Sequence, residues 1–375
     1  MPTPERVLIT GGAGFVGSHL ADALAAAGHE VVLYDRLEPQ VHDAARPTYL
    51  DPAHRLVIGD VRDAAALAPH LRAADVVFHL AARVGVAQSM YQVHEYVSAN
   101  TLGFATLLQL LADHRGHVRK LVVASSMSIY GEGTYHCAEH GPVAPGLRSE
   151  AQLAERCWEP LCPRCKRPLQ SRPTPEDAPL QPTSIYAVTK RDHEEMALVF
   201  GAGYQLPTVA LRFFNIYGSR QALSNPYTGV GAIFSSRLLN GQPPLVFEDG
   251  GQLRDFVHVS DVVQACLLAM NLPAADGQVF NVGTGQPHSV FDVATLLARE
   301  LGVDLAPEIR GQYRVGDIRH CFADISRIQQ KLGYTPRVAF EAGLRELVAW
   351  VGGQRGVRDE LSQASQELEA RNLVR

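Results

Sequence analysis

The chain has 375 residues, 46% of them hydrophobic and 19% charged, an ordinary globular composition with enough length for a large core in two lobes. A net charge of −5 leaves no basic stripe for nucleic acid, and no apolar run reaches the roughly 18 residues of a membrane helix. Residues 1–6 lack the apolar core of a signal peptide and six cysteines are too few for a disulfide scaffold, so a cytoplasmic protein is expected.

"RVLITGGAGFVGSHLADALAAAGHEVVLYDR" opens with a short β-rich run, a glycine-rich turn, an amphipathic helix and a second apolar run. The runs "HRLVIGDVRD", "ADVVFHLAA" and "RKLVVASSMSIYG" follow, separated by helical patterns such as "NTLGFATLLQLLADH". Strands alternating with helices predict an α/β fold with a doubly wound parallel sheet, whose ligands bind at the carboxyl ends of the strands. A stretch rich in Pro, Cys, Arg and Glu then breaks the rhythm and reads as an insertion. Alternation resumes with "TSIYAVTKRDHEEMALVF" as a helix and "TVALRFFNIYG" as a strand, and from Gln221 the elements become irregular, as in a smaller second lobe. The division expected is a nucleotide-binding domain of residues 1–133, 178–220 and 255–283, an insertion of residues 134–177, and a substrate lobe of residues 221–254 and 284–352. Residues 353–375 read as a polar tail, a frayed surface helix or disordered.

Gly11, Gly14 and Gly17 fall between the first strand and its helix, where bare backbone lets a pyrophosphate approach the positive helix end that begins at Phe15 and Val16. Asp35 ends the second strand at the distance expected for a carboxylate that accepts hydrogen bonds from an adenosine ribose diol. It would repel a 2′-phosphate, which favours NAD over NADP, and neighbouring Arg36 weakens that preference without reversing it. Asp60 and Val61 end the next strand, with Asp60 a candidate for the adenine amino group. Leu80, Ala81 and Ala82 end the fourth, where the alanines permit close approach and His79 reads as structural.

"YAVTK" places Tyr186 and Lys190 at i and i+4 on one helix face. A tyrosine is a poor base at neutral pH, but a neighbouring ammonium favours its phenolate. Ser125 and Ser126 end a preceding strand and offer a hydroxyl to orient a substrate oxygen. With "TGGAGFVGSHL", "SSMSIYG", "YAVTK", "RFFNIYG", "RDFVHVSD" and "RVGDIRH", the chain resembles the extended short-chain dehydrogenase/reductase family, in particular its nucleotide-sugar epimerase and dehydratase branch, from about Arg6 to Trp350 apart from the insertion. The resemblance implies a Rossmann domain, a catalytic Ser126, Tyr186 and Lys190, Asn100 supporting the active-site helix at the cofactor, and Phe213 near the nicotinamide. It further implies that Asn215, Arg254, Arg314 and Asp317 grip the nucleotide diphosphate and ribose, with Met127 and Val230 also on the substrate side. An arginine fork suits a pyrophosphate; the structural alternatives are an ion pair of Arg254 with Asp255 and loop capping by Asp317.

Family dehydratases carry an Asp-Glu pair after the catalytic hydroxyl residue to move protons during elimination, and this chain has Met127 and Ser128 there. The reading is an NAD-dependent 4-epimerase that oxidises the sugar at C4, lets the 4-keto sugar turn and reduces its other face. A ketoreductase or dehydrogenase on the same residues is the alternative, and a non-catalytic NAD-binding protein a remoter one. A dTDP- or UDP-linked hexose or 6-deoxyhexose is expected, and the Cys-rich insertion is similar to that of chains acting on dTDP-L-rhamnose. The helices containing "NTLGFATLLQLL" and "EEMALVF" resemble a pair that forms a homodimer interface in this family.

The insertion holds "HCAEHG" and "CWEPLCPRC". Cys137 with His140, and Cys162 with Cys165, make two knuckles of zinc-ribbon spacing, with Cys157 in reserve. Nothing in that spacing places an open coordination position near Tyr186, so a structural zinc ion is expected. Cys266 and Cys321 read as buried core residues, and a redox role for Cys162 is disfavoured because no helix N-terminus follows it.

Overall fold

Apolar β-branched runs, each followed by a helix, build the centre of the molecule. The computed structural model describes residues 4–42, 45–354 and 356–375. Among these, seven parallel strands form one sheet: β1 (Arg6–Thr10), β2 (Glu30–Asp35), β3 (Arg55–Ile58), β4 (Val76–His79), β5 (Lys120–Ser126), β9 (Thr208–Phe213) and β13 (Gln278–Val282). Their order is β13-β9-β5-β4-β1-β2-β3, so the winding reverses between β1 and β4 and opens a crevice above their carboxyl ends. Helices cover both faces. Leu20, Ala21 and Leu24 of the helix Phe15–Ala26 join one core, and Phe104, Leu107 and Leu111 of the helix Gly103–Asp113 join the other. Each of these buried leucine and phenylalanine side chains is worth about 1.5–3 kcal/mol, which fixes the helices against the sheet.

The insertion is folded. β6 (Thr134–Cys137) pairs antiparallel with β7 (Gly141–Val143) and β8 (Gln170–Arg172), around a core of Tyr135, Cys137, Cys162 and Leu169. The second lobe pairs β10 (Asn215–Tyr217), β12 (Leu253–His258), β14 (Pro287–Ser289) and β16 (His320–Cys321), with a separate pair β11 (Leu245–Val246) and β15 (Glu308–Ile309). Phe234, Leu238, Leu297, Phe340, Leu344 and Leu347 form its core.

Three features differ from the sequence expectation. Residues 255–258 belong to the lobe sheet through β12, and the helix Ser326–Leu332 packs Ile328 and Leu332 into the main core. The tail is docked: Leu361, Ala364 and Leu368 are buried from the helix Leu361–Glu369, and Tyr313 and Arg375 exchange backbone hydrogen bonds at 2.8 and 3.0 Å. Its apolar stripe is three residues wide in a polar segment, too narrow to stand out as periodicity. Among the described residues no helix is long and apolar enough to cross a membrane.

Candidate active site

Gly11 adopts φ +71° and donates its N–H to the carbonyl of Tyr34 at 2.9 Å. A Cβ at Gly11 would lie 2.7 Å from the backbone nitrogen of Ala81, and one at Gly17 would collide with the Gly11 carbonyl, so only glycine permits this closure. The helix then starts at Phe15 with no side-chain cap from Gly14 and no acid in its first turn. Its first N–H groups are left for an anion, which fits a dinucleotide diphosphate. A cavity of about 490 Å³ begins here, and Gly11, Gly14, Phe15, Val16 and Gly17 are on its wall.

Asp35, Arg36, Asp60, Val61, Leu80, Ala81 and Ala82 also line the cavity. Asp35 accepts from the N–H groups of Ala13 (3.1 Å) and Leu37 (2.9 Å), so it fastens the glycine turn from the next strand. Arg36 is paired with Glu38 and lies 3.5 Å from Asp60, which leaves it no free fork for a phosphate. Asp60 is gripped by Arg62 at 2.6 and 2.9 Å, and those hydrogen bonds hold its carboxyl down at about 2. Asn100 is not on the cavity wall. It is fully buried, holds the Arg83 backbone at 2.7 and 3.1 Å and donates to Thr189 on the Tyr186 helix at 2.9 Å, so both its N–H donors are spent in supporting that helix.

Ser184 caps the helix Ile185–Tyr204, and Ser89 Oγ accepts from the Tyr186 N–H at 3.0 Å. This fixes where the helix enters the crevice. Tyr186 hydrogen-bonds to Ser126 at the end of β5, Ser128 Oγ donates to Ser126 Oγ at 2.9 Å, and Lys190 Nζ donates to the Ala124 carbonyl at 2.9 Å. Burial pushes Tyr186 up to about 12, with the Ser126 hydrogen bond opposing it, and pushes Lys190 down to about 7. Both shifts have one cause: the dry site penalises either charge alone, and a phenolate–ammonium pair relieves both. Behind Lys190, His79 is buried against Phe104, hydrogen-bonded to Thr10 at 2.9 Å and held neutral, with its value lowered to about 3 by burial.

The cavity wall also includes Met127, Asn215 and Val230, expected on the substrate side, and Phe213, expected near the nicotinamide. Asn215 leaves its side-chain oxygen buried without a partner, an acceptor in search of a donor. Arg254, Arg314 and Asp317 are not on this wall. Arg254 spends its guanidinium on the carbonyls of Leu253, Arg319 and Ile318 at 2.7–2.9 Å, and Asp317 caps the Ile318 N–H at 2.9 Å while lying 3.4 Å from Arg254. Arg314 stacks over Phe247, 4.2 Å from the ring centre, with Nε buried and unpartnered. Asp255 accepts from Thr284, Gly285 and Ala323 and has no bond to Arg254. Arg254 and Asp317 thus meet each other and order a loop in this structure, while Arg314 rests on Phe247.

The chain matches the NAD dependent epimerase/dehydratase family over residues 7–148 and 163–283. It belongs to that family. It is 33% identical over 350 residues to the dTDP-L-rhamnose 4-epimerase of Burkholderia thailandensis, covering 92% of this chain and 95% of that one. It is likewise 33% identical over 348 residues to the UDP-glucose 4-epimerase of Mycolicibacterium smegmatis, covering 92% and 97%. Among solved structures, UDP-glucose 4-epimerase of Thermotoga maritima with UDP-glucose superposes with a TM-score of 0.75 at 30% identity, covering 92% of this chain and 98% of that one. The UDP-glucose 4-epimerase of Thermus thermophilus in complex with NAD gives 0.73 at 30% identity, covering 93% and 99%. The family and fold expected from the motifs are those found.

The family match breaks off at residues 149–162, inside the insertion. There the ligand atoms of Cys137, His140, Cys162 and Cys165 all lie within 4.8 Å of one another. His140 Nδ1 is 3.5 Å from the sulfurs of both Cys137 and Cys162, and Cys137 Sγ is 3.6 Å from Cys165 Sγ. Cys157 is outside the group, and the buried Cys266 and Cys321 stand apart.

Several residues of the epimerase/dehydratase site escape sequence reasoning. Ser89 anchors Tyr186 across 97 positions, and no local pattern announces it. Tyr227 and Arg220 are on the cavity wall; Tyr227 is bonded to Tyr91 at 2.6 Å, and Tyr91 to Glu367 of the tail helix at 2.9 Å. Only the aromatic and basic content of "SRQALSNPYTG" hinted at them.

Proposed function

We propose that the protein is an NAD-dependent nucleotide-sugar 4-epimerase, an isomerase, acting on a dTDP- or UDP-linked hexose or 6-deoxyhexose. One observation carries this reading within the family. Among the described residues, the carboxylates on the cavity wall are Asp35, Glu38 and Asp60, all at the cofactor end, while Met127 and Ser128 follow Ser126. Elimination or removal of a carbon-bound proton needs a further acid or base beside Tyr186, and no carboxylate of the wall lies at that end. Bound NAD supplies reversible hydride acceptance at C4. Tyr186 takes the C4 hydroxyl proton and later returns it, Ser126 orients the same oxygen, and the Lys190 ammonium stabilises the phenolate.

Asp35 and the engaged Arg36 favour NAD over NADP, which supports an internally recycled cofactor over the exchange a ketoreductase needs. The name and 92% coverage of the Burkholderia relative support dTDP-L-rhamnose as the first sugar to try. Incubation with dTDP- and UDP-sugars without added cofactor, followed by NMR, is expected to yield a C4 epimer. Water loss or stoichiometric NADH without an epimer would overturn the reading.

Further parts of the reading rest on this chain's surface and thiols. Leu102 and Val199, exposed by 54% and 74% on neighbouring helices, support a homodimer. Six free cysteines suit a reducing cytoplasm. Zinc in the Cys₃His group is supported by its edges, since a zinc tetrahedron has N–S and S–S edges of about 3.5 and 3.8 Å. Metal analysis is expected to find one zinc per chain.

A further inference from the structure

Resting on the nucleotide-sugar reading above, we propose that Tyr227 determines specificity in the cavity as a fixed hydrogen-bond acceptor for a hydroxyl of the sugar. Glu367 of the C-terminal helix is the positioning residue that sets this polarity.

A phenol has one proton to donate and an oxygen that accepts. Tyr91 Oη lies 2.9 Å from Glu367 Oε2 and 2.6 Å from Tyr227 Oη. A carboxylate only accepts, so the Tyr91 proton goes to Glu367. The Tyr91 oxygen is left to accept, and the Tyr227 proton points at it. Tyr227 therefore keeps lone pairs, and no proton, for the cavity whose wall it helps to form. Successive hydrogen bonds polarise one another, which makes this oxygen a better acceptor than that of a lone tyrosine. A sugar hydroxyl satisfies it by donating. A group that only accepts meets it lone pair to lone pair and is disfavoured.

Tyr227 stands close to the reacting end of the cavity. Gly85 precedes the helix Val86–Ser89, and a Cβ there would fall 2.9 Å from Tyr227 Cβ and 2.7 Å from Tyr96 Oη. At the other end of that single turn, Ser89 Oγ accepts from the Tyr186 N–H at 3.0 Å. Tyr227 thus packs one helical turn from the anchor of the residue that takes the C4 proton. Tyr96 is pushed up by burial and further by the nearness of both Tyr186 and Tyr227.

Both ends of the relay are held. The Tyr227 N–H donates to Asn225 Oδ1 at 3.0 Å, and the same oxygen accepts from Gln40 at 2.9 Å. Ser224 Oγ accepts from the Arg358 N–H at 3.1 Å, which ties this wall segment to the start of the tail. Glu367 is fixed by the burial of Leu361, Ala364 and Leu368 beneath its helix. Arg371 donates to the Glu367 carbonyl at 2.8 Å and lies over the Tyr91 ring, 4.4 Å from its centre. Glu367 acts through Tyr91.

The test measures binding to the full chain with NAD bound, by calorimetry, in a Tyr186→Phe background that prevents turnover. The probes are dTDP-L-rhamnose and UDP-glucose, each beside analogues with fluorine in place of one sugar hydroxyl other than that at C4, since fluorine cannot donate. For a sugar that binds, one such replacement should weaken binding about three- to tenfold, and Tyr227→Phe should bind the two forms alike. Glu367→Met, close in shape but no acceptor, should lose the same preference, and Glu367→Gln, whose amide oxygen still accepts, should keep it. In the active enzyme Glu367→Met should raise KM several-fold and change kcat less. Circular dichroism and NAD content check the fold of each variant. A hydroxyl preference absent from the parent, or unchanged by Tyr227→Phe at every position, would overturn the acceptor. A preference that survives Glu367→Met, or is lost equally in Glu367→Gln, would overturn the role of the tail. Binding of neither sugar would retire the nucleotide-sugar reading and the contact with it. The expected preference in a protein that epimerises neither sugar would retire the epimerase step alone, because the readout needs no turnover.

Discussion

The glycine turn before Phe15, on the cavity wall, and the loop that carries Arg314 and Asp317, off it, are held in opposite ways. The turn is shaped by backbone: Gly11 closes against Ala81, Asp35 ties down Ala13, and the helix end supplies the charge. The loop is shaped by side chains drawn from Glu132, Arg148, Glu159, Glu248 and Arg254, scattered over the chain. A backbone-built site is written locally and resists single substitutions away from its glycines. A charge-built site is recorded only in three dimensions, and each member depends on the rest.

The largest effect should come from the chemistry itself. Tyr186→Phe should lower kcat by about 10²–10⁴-fold with circular dichroism and NAD content unchanged, since it removes the proton-transferring group; steady-state kinetics checks this. Lys190→Met should also abolish turnover, yet raise the Tm of NAD-free protein by removing a buried ammonium. The sign follows from linkage: with Lys190 lowered from 10.5 to about 7, the unfolded chain binds one more proton between those values. Its contribution to stability therefore rises with pH from about 7 to about 10, above which the raised Tyr186 works against it. Calorimetry across this range should show a shallower slope for Lys190→Met.

The contrast between the two loops is sharpened by Arg148→Met, which leaves Glu132 and Glu248 buried with less compensation and should cost about 3 kcal/mol in urea unfolding. An equal stability for variant and parent would show the network to be passive. Smaller still, Asp35→Ala should weaken NAD about tenfold and NADP less, by loss of the ribose acceptor and of the Ala13 tie. Fluorescence titration with both cofactors reads that difference, and equal responses would remove Asp35 from the ribose.

Much of the candidate site was legible because its parts are neighbours in the chain. Gly11, Gly14 and Gly17 share one turn, and Tyr186 and Lys190 share one helix face. Asn100 was legible as a support of that helix, and its bonds to Arg83 and Thr189 were not. The second lobe was harder. Arg254 has the fork a pyrophosphate needs, but its donors go to two carbonyls of a loop 64 and 65 positions away and to that of its neighbour Leu253. The tail helix hid three buried residues in a polar segment for the same reason: its partner surface is distant in sequence.

The cysteines show where the boundary lies. Sequence spacing by itself determined that Cys137 can share a site with His140, and Cys162 with Cys165, because a short turn keeps each pair within reach of one ion. It likewise determined the glycine turn, the doubly wound sheet and the Tyr-Lys face, all set by local backbone geometry and period. Only the tertiary structure decided that the two knuckles meet at 3.5–3.6 Å, because that depends on the packing around β6 of two turns that chain proximity does not join. It alone decided that Glu132 and Glu159 reach past those knuckles to Arg319, since buried charges find partners by proximity in space and leave no period in the chain.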